Sequence, residues 1–342
     1  IVAQRFRSRL PTIDWFVGFD PQDASILQPI GTGFFEMLPI TTHYNNITYD
    51  LAVTSNYAWI TSWAGGLRRI PLDSLSSENA TWSPVPLPED HQLDLLTCDE
   101  TIFDDSLNVI AGFFLNPRDP GNGGNHNHKG FGVYVVEDTI WAGTANGINK
   151  GIIESDCINW EFHFTSVGTN APRIGTNSET EYEPVGIWKN ISGNWVIGFT
   201  HQEFSSFTRL WAITWAGEGN SETHALSYTD DGGKNWQITY PSGGPEKAYN
   251  LYANESRVWA ASESGLYVST DGQHWERYSR PIDTLTGEEI LSESVLSVYH
   301  QDNWLWVGTV DGISIIAENE ITATIHRFWK PANPFSAYPN PF

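Results

Sequence analysis

The chain has 342 residues, of which 41 are acidic and 18 are basic, so its net charge at pH 7 is −23. This charge argues against electrostatic capture of nucleic acid or of an anionic membrane surface. A hydrophobic share of 40% and an aromatic share of 13% argue against a disordered acidic tail. The length leaves two organisations open, two or three ordinary domains or one architecture built from repeats.

The start of the chain bears on processing and location. It begins at Ile1, without Met and without a charged-then-apolar leader, which predicts a mature, processed product. No apolar run approaches the roughly 20 residues that span a bilayer, so we expect no transmembrane helix.

The sixteen tryptophans recur with a pattern. Five of them are followed six positions later by glycine, where chance would give about one or two such pairs. These pairs are Trp59/Gly65, Trp141/Gly147, Trp211/Gly217, Trp259/Gly265 and Trp306/Gly312. Each unit also carries a second tryptophan downstream, at Trp82, Trp160, Trp236, Trp275 and Trp329. The five first tryptophans are predicted to form the repeated core.

The repeat predicts a β-propeller. Each unit is a short aromatic and β-branched strand, a glycine-centred turn, a second strand and a third strand, with one more strand before the repeat tryptophan. Four strands in about 45 residues make one blade of a propeller. We expect an all-β fold of five to seven blades, with seven preferred, over residues 1–333, and a Pro-rich linker over 334–342. The rival architecture is a two-domain β-sandwich, which has no reason to repeat one unit.

Two segments resemble the Asp-box, Ser/Thr-x-Asp-x-Gly-x-x-Trp. One segment is complete and the other is one residue shorter; their residues are Thr229, Asp231, Gly233 and Trp236, then Ser269, Asp271, Gly272 and Trp275. An incomplete version, which lacks the glycine, occupies 155–160. The chain is thus similar to Asp-box propellers, a superfamily of sialidases, glucanases and non-catalytic surface or assembly proteins. The resemblance implies that the boxes are structural turns away from any active centre, and it says little about function.

The end of the chain carries a second resemblance. Tyr338-Pro-Asn-Pro-Phe342 resembles the opening of the C-terminal sorting domain on cargo of the bacterial type IX secretion system. The resemblance implies export to the outer cell surface or beyond. The alternative is an ordinary Pro-rich tail with extended geometry.

Sialidase and glucanase chemistry were both considered. The tripeptide Arg69-Ile70-Pro71 matches a sialidase signature, but its position in the second strand of a blade explains it equally well. Three adjacent acidic pairs, at 104–105, 230–231 and 288–289, place neighbouring strand side chains on opposite faces. We therefore predict no catalytic residue and expect no cofactor.

Two further residue pairs keep alternatives open. His126 and His128 lie in a Gly/Asn-rich loop and are weak metal candidates, with a solvated loop favoured. Cys98 and Cys157 allow one disulfide, and the alternative is two buried free thiols.

The preferred function is a secreted or cell-surface, non-catalytic binding or scaffolding module of bacterial origin. Its expected partners are extracellular or outer-membrane proteins or glycans. The competing function is a glycan-active hydrolase that uses a carboxylate pair in the propeller cleft.

Overall fold

A computed structural model describes residues 48–63, 65–77, 82–88, 90, 125–154, 157–166, 188–189, 191–217, 222–278, 292–301, 304–317 and 325–329. The chain divides into two compact units. Unit 1 consists of Ile1–Gly198 and Ala216–Glu222, and unit 2 consists of Phe199–Trp215 and Thr223–Phe342. Cys98, the acidic pairs at 104–105 and 288–289, and the segment 334–342 lie outside the described residues.

Unit 1 contains two antiparallel sheets. The strands of the first sheet are β1 (Thr48–Val53), β2 (Tyr57–Ser62), β3 (Gly66–Pro71) and β4 (Ser83–Pro84), with a 3-10 helix at Leu72–Ser76. The second sheet follows a 3-10 helix at His126–His128, and its strands are β5 (Gly130–Val136), β6 (Thr139–Thr144), β7 (Gly147–Glu154), β8 (Cys157–Thr165) and β9 (Trp188–Lys189). The short strand β9 is the exception, because it pairs with β8 in parallel.

Three more sheets follow, and β10 crosses the boundary between the units. The third sheet contains β10 (Trp195–Glu203), β11 (Thr208–Trp215), β12 (Ala225–Thr229) and β13 (Gln237–Thr239). The fourth contains β14 (Ala248–Ala253), β15 (Val258–Ser262), β16 (Gly265–Ser269) and β17 (Glu276–Tyr278). The fifth contains β18 (Val295–Gln301), β19 (Trp304–Thr309), β20 (Gly312–Ala317) and β21 (Ile325–Trp329).

The fold class is the predicted one, an all-β chain of successive four-stranded antiparallel blades as in a β-propeller. The described residues contain four such sheets and a fifth that adds the short parallel strand β9 to four antiparallel ones, and each sheet has its strands in chain order. No helix among these residues is long and apolar enough to cross a membrane.

The repeat tryptophans lie on the second strand of each sheet. Trp59, Trp211 and Trp259 are fully buried, and Trp141 is 4% exposed. Within each unit they pack towards the next sheet: Trp59 shares a core with residues of β5, β6 and β8, and Trp259 shares one with residues of β18 and β19. Trp306 differs from the other four, because 38% of its surface is exposed.

A hydroxyl residue three positions after the tryptophan explains the tryptophan-to-glycine spacing. The hydroxyls of Thr144, Ser262 and Thr309 each lie within hydrogen-bond distance of the carbonyl oxygen of the glycine three residues later, at 3.0 to 3.2 Å. The Ser262 hydroxyl shares its one proton between this oxygen and Glu246. That glycine begins the next strand with a positive φ, at Gly147, Gly265 and Gly312. The spacing of six is therefore three strand residues plus one closed turn.

The Trp211 repeat departs from this arrangement. Thr214 donates instead to the carbonyl oxygen of Ala225, its partner across the hairpin, because the loop between β11 and β12 is longer. Gly217 lies inside that loop, and its N–H donates to Glu222 at 2.6 Å. The glycine of this repeat is therefore a loop residue and does not begin the next strand.

The two ends of each sheet differ. Four antiparallel strands in chain order begin and finish at the same end of their sheet. The segments that lead to the next sheet therefore leave from this end, which is termed the connection end. The opposite end is termed the Asp-box end, because the turns β12–β13 and β16–β17 lie there. The connection end of unit 1 includes 85–88 and 125–129, and that of unit 2 includes 240–247 and 292–294.

Candidate functional site

The two turns at the Asp-box end of unit 2 are held by their own side chains. Thr229 accepts the N–H of Gly233 at 2.9 Å, and the carboxylate of Asp231 accepts the Thr229 hydroxyl and the backbone N–H of Asn235. In the second turn Ser269 accepts the N–H of Gly272 at 2.8 Å. The hydroxyl oxygens of Thr229 and Ser269 and both carboxylate oxygens of Asp231 form hydrogen bonds within the turns. These groups therefore have little capacity left to bind a ligand.

The pKa values of the two aspartates agree with this structural role. Burial raises the pKa of Asp231, but hydrogen bonds from Asn235 and Thr229 outweigh it and hold the pKa below its ordinary value. The side chain of His274, followed by backbone N–H groups, lowers the pKa of Asp271. Both groups are therefore carboxylates at neutral pH and serve as hydrogen-bond acceptors.

The second tryptophan of a repeat connects its sheet to the one before. Trp275 donates from Nε1 to the hydroxyl of Thr239 on β13, at 2.9 Å. In unit 1 Trp160 donates in the same way to the carbonyl oxygen of Pro86, which follows β4, at 2.8 Å. Trp236 is buried at 8% exposure.

Arg209 joins the two Asp-box turns of unit 2. Its Nε and Nη2 donate to the two carboxylate oxygens of Asp230 at 2.6 and 2.9 Å, and its Nη1 donates to the carbonyl oxygen of Asp271 at 2.8 Å. The guanidinium carbon lies 4.1 Å from the centre of the Tyr228 ring. Asp230 thus binds Arg209 while Asp231 closes its turn, so the two carboxylates of this adjacent pair have separate structural partners.

The connection end of unit 2 carries a polar cluster formed by the segment before β14, by β14 itself and by the β15–β16 turn. Glu246 accepts the Ser262 hydroxyl at 2.5 Å and the backbone N–H of Ser264 at 2.7 Å. Tyr249 donates its hydroxyl to Glu263 at 3.3 Å. These contacts fix both carboxylates in place at the surface.

At the connection end of each unit, a lysine side chain lies over an indole ring. Lys247 Nζ is 5.0 Å from the ring centre of Trp215, and in unit 1 Lys129 Nζ is 5.2 Å from that of Trp63. The positions are equivalent, because each tryptophan lies four residues after a repeat tryptophan and each lysine precedes the first strand of the following sheet. This contact stabilises the sheet pair and restrains the ammonium group.

The electrostatics of the cluster suit neither an ionised tyrosine nucleophile nor a carboxyl general acid. Burial and the charge of Glu263 raise the pKa of Tyr249 to about 12, so its hydroxyl is a poor nucleophile at neutral pH. Burial raises the pKa of Glu246, yet hydrogen bonds from Ser262 and Ser264 bring it below its ordinary value, the reverse of what a general acid requires.

At the connection end of unit 1 the loop that holds His126 and His128 is fixed to the second sheet. The side-chain amides of Asn127 and Asn149 donate to each other at 3.0 and 2.8 Å. The carboxylate of Asp90 accepts the backbone N–H groups of His126 and Asn127 at 2.7 and 2.6 Å. These bonds make this part of the loop a packed structural element.

Among the described residues, no third metal ligand accompanies His126 and His128. His128 is fully buried, and its Nε2 lies 3.0 Å from the carbonyl oxygen of Leu87. Among the residues that the structure describes, no three His, Cys, Asp or Glu side chains group in a way that could hold a metal ion.

Cys157 and Arg69 also have defined environments. Cys157 is disulfide-bonded, and the chain's other cysteine lies outside the described residues. The guanidinium carbon of Arg69 lies 4.8 Å from the ring centre of Tyr57 and 5.5 Å from that of Trp59. Arg69 is thus engaged in aromatic packing within the first sheet.

The sequence interpretation missed three kinds of structural residue. It did not single out the hydroxyl residue three after each repeat tryptophan, the lysines over Trp63 and Trp215, or Arg209. The first had a visible signal, because all five units carry Ser or Thr there, at Ser62, Thr144, Thr214, Ser262 and Thr309. The other two had none, because they depend on contacts between sheets.

Comparisons with known proteins place the chain in no family. No protein-family model matches it, and no curated protein matches significantly. Among solved structures, YCF48 bound to D1 peptide is similar at 14% identity and a TM-score of 0.47, over 85% of this chain and 70% of that one. PorZ, a surface component of the type IX secretion system of Porphyromonas gingivalis, is similar at 12% identity and a TM-score of 0.46, over 83% and 34%.

A third similar structure is the extracellular domain of a hybrid two-component system from B. thetaiotaomicron, at 14% identity and a TM-score of 0.42, over 85% of this chain and 36% of that one. The chain therefore spans about a third of the length of this protein and of PorZ. TM-scores below 0.5 carry no conclusion about the ligands or partners of this chain.

Proposed function

We propose that the chain is a non-catalytic binding or scaffolding module, secreted or held at the outer surface of a bacterium, that contacts its partner through the connection end of its sheets. One observation carries the proposal. The ionisable groups at that end of unit 2 are fixed by neighbouring side chains, and the raised pKa of Tyr249 and the lowered pKa of Glu246 suit neither an ionised tyrosine nucleophile nor a protonated general acid. Fixed side chains reduce the entropy lost on binding.

The chemistry of the partner follows from charge. With a net charge of −23, the chain attracts surfaces rich in lysine and arginine and repels acidic ones. The export part of the proposal is supported by the resemblance of Tyr338–Phe342 to a sorting-domain start. The favoured partner is a protein with a cationic patch in an extracellular assembly.

An activity assay separates this function from glycan hydrolysis. We expect no release of reducing sugar from bacterial or host polysaccharides between pH 4 and pH 9, because the pKa of Glu246 is held below its ordinary value, whereas a general acid requires a raised one. Turnover that is lost in Glu246→Gln or Glu263→Gln, with the fold retained, would establish the hydrolase instead.

A crosslinking experiment locates the contact surface. A photoreactive residue is placed at Ser242, exposed at the connection end of unit 2, or at Ser256, exposed at its Asp-box end. We expect one outer-membrane or secreted protein to be crosslinked from position 242 and not from position 256. Equal crosslinking from both positions would contradict the assignment of the surface.

The surface charge also predicts how stability responds to salt. The chain has 41 acidic and 18 basic residues, so its negative charges exceed its positive charges by 23 at pH 7. Added NaCl should screen the repulsion among the carboxylates. We expect the melting temperature to rise by about 2 to 8 °C between 20 mM and 1 M NaCl.

The matched variant for this measurement is Lys234→Glu, which changes an exposed side chain in the β12–β13 turn. It makes the net charge two units more negative and should steepen the salt dependence. A melting temperature that stays constant or falls with NaCl would show that surface repulsion does not limit stability.

A further inference from the structure

Asp50 occupies the contact between the first and second sheets of unit 1. Its Oδ2 accepts the backbone N–H of Val133, on β5 of the second sheet, at 2.9 Å. Its Oδ1 accepts the N–H of Leu51, next to it on β1, also at 2.9 Å. One side chain thus connects the first strands of two consecutive sheets.

Unit 2 has the same contact at an equivalent position, formed by a neutral amide. Asn250 Oδ1 accepts the backbone N–H of Val298, which lies on β18 of the next sheet, at 2.9 Å. Asp50 and Asn250 each follow an irregularity in the first strand of their sheet, and they pair with Thr61 and Ala261 on the second strand. A neutral group is therefore sufficient to hold this contact.

The strands β1, β2 and β5, which the structure describes around Asp50, contain no lysine, arginine or histidine. On β1 its neighbours are Tyr49 and Leu51; β2 places Thr61 opposite it and has Tyr57, its titratable group, at the far end. The titratable side chain of β5 is Tyr134. None of these tyrosines offers a positive charge to an ionised carboxylate.

Burial dominates the titration of this group. It raises the pKa of Asp50 from 3.8 to about 7, although the N–H groups of Val133 and Leu51 act in the opposite direction. The residue as a whole keeps partial exposure, and the shift reflects the atoms packed round its carboxyl group. Near neutral pH, therefore, the protonated form of this group makes up a substantial fraction.

We propose that Asp50 is a protonation-dependent clasp between the two sheets of unit 1. It holds β1 against β5 as Asn250 holds β14 against β18. Ionisation destabilises the closed contact, because the cost of burying the charge exceeds the gain from the stronger hydrogen bonds that a carboxylate accepts. The native state binds the proton more tightly than the open state does. The stability that the clasp contributes is consequently complete at acid pH and declines as the pH rises towards 7.

Hydrogen exchange measured by mass spectrometry on the full chain tests the clasp. The quantity is the opening equilibrium of the β5 peptide, corrected for the intrinsic pH dependence of exchange, between pH 5 and pH 8. In the wild type we expect opening to increase about tenfold or more up to pH 7 and then to level off. In Asp50→Asn this increase should disappear.

The reciprocal variant transfers the property to unit 2. Asn250→Asp should give the β18 peptide a pH-dependent opening that the wild type lacks there, and it also serves if Asp50→Asn does not fold. His163, whose pKa is lowered first of all by burial, acts in the opposite direction but is common to all these proteins. An increase that persists in Asp50→Asn, or a folded Asn250→Asp with unchanged β18 exchange, would overturn the proposal.

Discussion

Replacing Gly147 with alanine is expected to cost about 3 to 5 kcal/mol of unfolding free energy, or to prevent folding of unit 1. Gly147 is the turn glycine of the Trp141 repeat and has a φ of 99°, a conformation that alanine adopts only with strain. A Cβ at this position would also overlap the carbonyl oxygen of Phe164 on β8, which is backbone and cannot rotate away. Urea denaturation followed by tryptophan fluorescence measures the loss.

Gly265 provides the matched control, because it holds the same place in the Trp259 repeat. Its φ is 147°, but the nearest atoms to an added Cβ are Arg277 Nε at 3.4 Å and the Tyr278 carbonyl oxygen at 3.5 Å. Gly265→Ala therefore brings backbone strain without a clash, and should cost about 1 to 2 kcal/mol. Equal losses for the two variants would show that φ alone, and not the approach of β8, determines the requirement for glycine.

Removing the side chain of Arg209 should have an effect of similar size. Arg209 is 8% exposed, pairs with Asp230 through two hydrogen bonds and reaches the backbone of the next Asp-box turn. Arg209→Ala leaves Asp230 without its cation and opens a space beside Trp211 and Tyr228. We expect a loss of about 3 to 5 kcal/mol in denaturant unfolding.

Two further variants distinguish the causes of that loss. Arg209→Lys keeps the charge but cannot donate in the planar, two-pronged way, so it should recover less than half of the lost stability. Arg277→Ala removes an exposed arginine that donates to the Ser264 carbonyl oxygen, and should cost less than about 1 kcal/mol. If Arg209→Lys were as stable as the wild type, charge rather than geometry would account for the contact.

The spacing of residues made the repeated unit predictable from sequence. The distance from Trp259 to Gly265 is three strand residues and a turn closed by Ser262, and this unit recurs at Trp141 and Trp306 because the same hydrogen bond closes each turn. Local chemistry of this kind is present in the order of residues. The four-stranded sheets could accordingly be predicted before any coordinates were known.

Features that depend on packing between sheets were beyond the sequence. Arg209 is an ordinary strand residue until Asp230 and the Asp271 carbonyl oxygen are placed around it. The exposure of Trp306 was likewise unpredictable, because its motif matches that of the buried Trp259 and differs only in what packs against it. The candidate site at the start of β14 depends on Glu246, which precedes the strand, and on Tyr249, and neither residue belongs to a motif.

The burial of amino groups against aromatic rings has a practical consequence for binding assays. Reagents that couple to primary amines should react poorly with Lys129 and Lys247, whose ammonium groups lie on Trp63 and Trp215, and readily with the exposed Lys234. Lys234 lies at the Asp-box end of unit 2. Immobilising the molecule on a sensor surface through this amine would leave the opposite, connection end presented to an injected partner.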